Sequence, residues 1–403
     1  MKRKLSIALC AGALLLIGCG KDEMPKYGRP WDRSIAETKA DVVSEDGLPV
    51  VFITLDDGKE KIKKDKWRGA VMTIVSSDDV EEIPIEIRGR GNSTWRMPKK
   101  PFNIRFTEET PLLGMAAAPR WCFLANYRDM TLIRNAVALE MSRYSCLDWT
   151  PEGRFVEVVL NGIHYGNYYV TEKVDLDHVQ VGEDGYLLCM DRYYDEDYRF
   201  KTDRKEIPVE ILTPYFCGMP QDRYDAIVDY MDDFEKALYK GKGNWEDYVD
   251  LDSFCDWFLL HELATNSEPG EPHSAYFHRV GDGPLQAGPV WDFDCWTFRT
   301  GIGDMWVNQH ALWFDALLKE TAFQETLRKR WAVLRPAMVE EIPAYIDETA
   351  ASIRSSALVN EEMWGTERER KVNGDEGMSF DAAVPRLKVA LQQRVEALDA
   401  KLL

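Results

Sequence analysis

Apolar residues between positions 48 and 190 alternate or run in β-branched stretches, whereas beyond about residue 213 they recur at helical spacing. A chain with its periods in that order has to build a sheet first and pack helices afterwards, because each period leaves one apolar face that needs a partner. The runs LPVVFITL, AVMTIVS, IPIEIRG, PFNIRF, RFVEVVLNG, HYGNYYVTEKV and DGYLLCMD predict strands. Asp57-Gly58 marks a turn, and Asn161-Gly162 a two-residue hairpin turn. One segment interrupts this pattern: DMTLIRNAVALEMSRY carries Leu132, Ile133, Ala136, Val137, Leu139 and Met141 at helical spacing.

In the second half, RYDAIVDYMDDFEKALYK aligns Ile227, Val228, Met231, Phe234 and Leu238 on one helical face, and Asp250 is placed to cap LDSFCDWFLLHELATN. Two short strands, SAYFHRV and AGPVWDF, follow, and the remainder is helical by period and composition. The expected fold is α+β, with a β-rich N-terminal lobe over residues 46–213, a helical C-terminal lobe over 214–403, and a cleft between them.

The first residues read as an export signal. Lys2, Arg3 and Lys4 precede an apolar run from Leu5 to Ile17 that is too short to span a bilayer but suits a signal peptide. Its end, Leu16-Ile17-Gly18-Cys19, resembles the lipobox of bacterial lipoproteins, which implies cleavage after residue 18 and lipidation of Cys19. Gly20-Lys21-Asp22-Glu23 looks like the short charged signal that carries lipoproteins to the outer cell surface. The expected chain is therefore an outer-membrane lipoprotein, held to the membrane through its lipid alone, with residues 19–45 as a polar tether.

Net charge narrows the partners. The formal charge of −19 becomes −22 once the three cations of the leader are removed, which argues against nucleic acid, whose phosphates need Lys and Arg in excess. Six cysteines lie beyond Cys19 without a C-x-x-C pair, and several sit among apolar residues, the pattern of buried free thiols.

Within this acidic chain, IRGRGNSTWRMPKKPFNIRF gathers Arg88, Arg90, Lys99 and Lys100 around Gly89 and Gly91. Glycines let backbone N–H groups approach an anion, although G-x-G alone is a weak signal that better describes a β-turn. The acidic counterpart is WDFD. If extended, it puts Asp292 and Asp294 on one side, an arrangement suited to Mg²⁺ held between protein and phosphate oxygens. The other reading has the two aspartates cap turns or pair with Arg299. Upstream, HELATNSEPGEPHSAYFHR leaves a helix for a loop carrying Asn266, Glu268, Glu271, His273 and Ser274, where a carboxylate could take a proton from an attacking hydroxyl. His273 and His278 lack zinc-ligand spacing, and no G-x-S-x-G elbow marks a serine hydrolase.

The ordered blocks RGRGNSTWRMPKKPFNIRF, FLANYRDMTLIRNAVALEMS, VVLNGIHYGNYYVTEKV, FLLHELATNSEPGEPHSAYFHR and GPVWDFDCWTF together resemble the CotH kinase family. The resemblance implies a two-lobed, atypical protein-kinase-like fold that binds Mg²⁺ and ATP and phosphorylates a hydroxyl on a protein substrate. Carried over, Gly89, Arg90, Gly91, Asn92 and Ser93 form the phosphate-facing loop, Lys99 or Lys100 contacts the nucleotide, and Glu172 lies at the adenine hinge. Asp292 and Asp294 hold the metal, and Glu268 acts with Asp292 in catalysis. The catalytic loop departs from the family's N-x-D and downstream asparagine: this chain has Asn266-Ser267-Glu268 and then His273-Ser274, which makes Ser274 the candidate metal ligand. That departure leaves a second reading, a surface module that binds a glycan or protein partner without catalysis.

Overall fold

Val50–Leu55, read as a near-continuous apolar run, is a strand buried on both faces, the environment that such runs suit. It belongs to a computed structural model that describes residues 29–30, 46–56, 62–76, 80–176, 178–182, 184–212, 218–368 and 370–403. The expected leader, Cys19, most of the tether, the Asp57-Gly58 turn and Cys217 lie outside them.

Eight strands form the first sheet: β1 (Arg29–Pro30), β2 (Val50–Leu55), β3 (Arg68–Val75), β4 (Val80–Gly89), β5 (Phe102–Leu112), β6 (Met115–Leu124), β7 (Gly153–Leu160) and β8 (Ile163–Glu172). Their order is β1-β8-β6-β5-β4-β3-β2-β7, and β7 also pairs with β8, so seven of the strands close into a barrel. Within this sheet, among the described residues, only β2 and β7 pair in parallel. The inward residues Ile53, Ile85, Ile104, Trp121, Phe123, Val158 and Val170 fill one apolar cluster. Closure removes the free edges that an open sheet would leave.

Asn161-Gly162 turns β7 into β8 with φ of 48° and 77°, the positive pair that a two-residue hairpin requires. The expected helix at 129–144 is shorter: α1 spans Arg134–Arg143. Leu132 has φ 59°, and the Asp129 side chain accepts from the Thr131 and Arg134 N–H groups at 2.8 and 2.9 Å, so 129–133 forms a turn leading into the helix.

A second sheet of five strands, β9 (Tyr186–Met190), β10 (Arg199–Lys201), β11 (Pro208–Leu212), β12 (Ala275–Arg279) and β13 (Leu285–Ala287), has the order β10-β11-β9-β12-β13. It draws strands from both sides of residue 213. Around it pack α2 (Gln221–Lys240), α3 (Leu251–Leu263), α4 (Phe314–Leu317), α5 (Thr321–Val339), α6 (Glu341–Ser352), α7 (Arg354–Trp364) and α8 (Phe380–Leu402). Asp250 caps α3 as expected, accepting from Ser253 N at 2.8 Å. The α+β expectation therefore holds, with a β-rich N-terminal half and helices in the C-terminal half.

The strand expected at AGPVWDF stops at Ala287. Pro289 has no N–H to give a ladder, and Asp292, Trp296 and Phe298 take φ of 67°, 57° and 45°, which no strand accommodates. Among the described cysteines, Cys122, Cys189 and Cys255 are buried free thiols, whereas Cys295 is half-buried and Cys146 exposed. No described helix is long and apolar enough to cross a membrane.

Candidate active site

Three segments meet at a cavity of about 600 Å³, a size suited to a small-molecule ligand. The first is the loop between β4 and β5. Gly91 has φ 76°, and a Cβ there would lie 1.9 Å from Thr94 Oγ1, so only glycine fits. Arg90, Gly91, Asn92 and Ser93 line the cavity. Gly89 does not; it lies under Trp95, whose ring a Cβ would meet at 2.4 Å.

The two lysines diverge. Lys99 belongs to the cavity wall but is fully buried, its ammonium donating to Asn167 O and, at 2.8 Å, to Asn360 Oδ1 on α7. Burial holds that amine well below the usual lysine range. Lys100 does not line the cavity: its ammonium donates to Trp95 O at 2.8 Å and sits over the Trp95 ring. Glu172 is also outside the cavity wall, its carboxylate accepting from Glu152 N at 2.8 Å and lying 3.5 Å from His178 Nε2.

The second segment carries Asp292 and Asp294. Their approach comes from the left-handed turn at Asp292, not from the alternation of an extended strand. Asn135, on the first turn of α1, accepts from Phe293 N at 2.7 Å. Asn373 donates to Asp294 O at 2.8 Å and accepts from Thr297 N at 3.2 Å. Thr297 Oγ1 closes the turn on Phe293 O at 2.6 Å. Both carboxylates line the cavity.

The third segment is the loop after α3. Asn266 Oδ1 accepts from Glu268 N at 3.0 Å, which presents Glu268 to the cavity. Ser274 lines it too, its N–H donating to Asp191 Oδ2 at 3.2 Å.

Sequence reasoning did not find Asp191, Asn135 or Arg128, which also line the cavity. Asp191 directly follows β9, a position that periodicity cannot distinguish from a turn cap. Arg128 precedes Asp129 and Asn135 lies on the first turn of α1 within the block FLANYRDMTLIRNAVALEMS, whose polar residues around a helix start were the available signal.

Burial first, and then the charge of Asp292, push the Asp294 carboxyl up to about 8; the two side chains share a hydrogen bond. Glu268 is likewise raised well above the carboxylate range by burial and by Asp292, Asp294 and Asp191. Asp191 is raised, chiefly by burial. Arg90 opposes the shift at Asp294 and Arg192 that at Glu268. Such a cluster favours protons or a cation. Among the described residues no three His, Cys, Asp or Glu side chains converge tightly enough to cage an ion. Mg²⁺ needs no such cage, because one or two carboxylates with ligand oxygens suffice, and the donor chemistry of Asp292 and Asp294 fits it.

A pH dependence follows. The folded-state value of Asp294 lies above that of an unfolded carboxylate, so its stability contribution is full below about pH 4 and is lost as pH rises through about 8. Metal-free protein is expected to melt several degrees lower at pH 8 than at pH 5, and Asp294→Asn to remove a measurable part of that difference, Glu268 and Asp191 supplying the rest with the same sign. Melting curves recorded in magnesium-free buffer at both pH values measure it; an undiminished difference in the variant would refute the assignment.

The family model described as CotH kinase protein matches residues 87–398. No curated protein matches the chain.

Proposed function

The chain belongs to the CotH kinase protein family, and from that premise we propose that it is a two-lobed, atypical kinase-like phosphotransferase acting on a Ser or Thr hydroxyl of an exported or surface protein. The observation that carries this reading is that loop residues Arg90–Ser93 and the carboxylates Glu268, Asp292 and Asp294 share one cavity. Asp292 and Asp294 would hold Mg²⁺, with the Ser274 hydroxyl as a further oxygen on the same wall. When bound, Mg-ATP supplies the phosphoryl group and the cation that neutralises its spreading charge.

The protein's own part is positioning and electrostatics. The backbone at Gly91 and Asn92 faces the phosphates, and Arg90 and Arg128 add positive charge from the same wall. This duty fits them better than the lysines, because Lys99 is already engaged by Asn167 and Asn360, and Lys100 by Trp95. Lys99 instead ties the loop to β8 and α7. Glu268 takes the hydroxyl proton as the acceptor oxygen bonds to phosphorus and the bond from phosphorus to the leaving diphosphate breaks.

Mg-ATP at about a hundred times its dissociation constant is expected to stabilise the protein by about 2.7 kcal/mol. Glu268→Gln should retain that shift while transferring labelled γ-phosphate to a generic protein about a hundredfold more slowly. Absence of any thermal shift with Mg-ATP, or equal transfer by wild type and Glu268→Gln, would overturn the reading.

A further inference from the structure

The outer face of the barrel beside the cavity gathers cations, although the chain carries a net charge of −19. Ile87, Ile104 and Trp121 point into the barrel. The alternate residues on the same strands therefore point outward. In one outward row Arg105 of β5 stands between Glu86 of β4 and Arg120 of β6, and in the next Arg88 stands opposite Asn103. Arg105 and Arg120 keep 42% and 39% of their side chains exposed, which leaves this face accessible. Two guanidinium groups lie against the Trp67 ring, Arg88 at 4.6 Å and Arg105 at 4.5 Å from its centre.

The loop before β3 adds exposed Lys63, Lys64 and Lys66. Gly89 N donates to Lys63 O at 2.9 Å, and the Lys64 ammonium to Asn92 Oδ1, so this lysine loop is pinned to the cavity's own glycine loop. Arg90, two residues beyond Arg88, lines the cavity itself. The basic face and the cavity mouth are thus continuous.

Acidic residues offset part of this charge, Asp65 standing exposed between Lys64 and Lys66 and two of the arginines being paired, while Arg88 and the three lysines remain in excess. Glu86 pairs with Arg105 at 2.6 Å and Asp175 with Arg120 at 3.1 Å. Arg88 Nε is buried without a hydrogen-bond partner among the described residues. Its guanidinium is held below the usual range by burial and by the nearby Arg105 and Arg120, against the opposing charge of Glu196. Cations crowded in this way are relieved by an added anion.

We propose that this face is the docking surface for an acidic segment of the acceptor protein, whose Asp and Glu side chains lie across Arg88, Arg105 and the lysine loop as its hydroxyl enters the cavity. The proposal rests on the phosphotransferase reading for the word acceptor, but not for the binding. A short acidic segment suits the patch better than a long polyanion, because the remaining surface, with its large negative charge, repels anything that extends far beyond the patch.

The test uses the full chain and labelled short peptides: one Asp/Glu-rich with a single serine, one in which Asn and Gln replace the acids, and a duplex DNA for comparison. The Asp/Glu-rich peptide should bind at low salt and weaken as salt rises. Lys63→Glu/Lys66→Glu should weaken it by about tenfold or more with an unchanged melting temperature. Equal binding of acidic and neutral peptides, or undiminished binding by the variant, would overturn the proposal. Tighter binding of the DNA would reassign the face to nucleic acid and overturn it as well. If the acidic peptide binds but no γ-phosphate is transferred to any acceptor, the phosphotransferase reading falls and the docking surface stands.

Discussion

Asp292→Asn is expected to slow γ-phosphoryl transfer by about a hundred- to a thousandfold with little loss of fold. Asparagine is chosen because position 292 sits at φ 67°, a conformation that asparagine tolerates and alanine does not. The amide keeps the volume and removes the charge. What is lost is the carboxylate proposed to hold the cation, together with its Coulombic pressure on Asp294 and Glu268. Two measurements separate these effects. Single-turnover transfer of labelled phosphate reports on the cation, and the pH dependence of melting reports on Asp294, whose carboxyl should fall towards its ordinary range once Asp292 is neutral. A transfer rate within about twofold of wild type would remove Asp292 from the machinery. A lost rate with the pH dependence of melting unchanged would mean that the two aspartates are not coupled as their shared hydrogen bond implies.

Much of the fold was legible because strands carry their burial in their residues. The run VVFITL needs both faces covered, and it has them; Asn161-Gly162 specifies its hairpin by φ alone. Closure of the barrel was not legible, since nothing in the period of β7 says that it will pair with both β2 and β8. Strand β6 was missed because its first half, MAAAP, lacks β-branched residues, and tertiary pairing with β5 and β8 overrides that local weakness.

At the site the residue types were readable and the directions were not. Asp292, Asp294 and Glu268 stood out as carboxylates in unusual settings, and they share the cavity. Lys99 and Lys100 are adjacent and chemically alike, yet one ammonium turns to Asn167 and Asn360 and the other to Trp95. Those partners lie between 5 and 261 residues away in the sequence, which is why no local pattern could assign the lysines. The reading of WDFD as extended reached the right pairing by the wrong geometry, because a single left-handed residue does what strand alternation was expected to do.

Asp129→Ala is expected to cost about 3–5 kcal/mol of stability, the loss typical of leaving a buried charge without its partner. Asp129 and Arg134 are both fully buried at the side chain and paired with each other. The same carboxylate accepts from Thr131 N at 2.8 Å, Thr131 Oγ1 at 2.6 Å and Arg134 N at 2.9 Å, so it also fixes the turn from which α1 starts. Asp375, 2.7 Å from Arg134 Nη2, limits the damage but cannot replace those backbone contacts. Asp129→Asn should lose less, because an amide oxygen can still accept from Thr131 and Arg134 while the charge is gone. The effect extends to the site, since α1 places Asn135 on Phe293 N between the two aspartates. Asp129 is also among the charges that raise Asp294. Denaturant melts of the three proteins, with the order wild type, Asp129→Asn, Asp129→Ala, test the argument. Equal midpoints for wild type and Asp129→Ala would mean that the buried Asp129–Arg134 pair does not hold the aspartate turn in place.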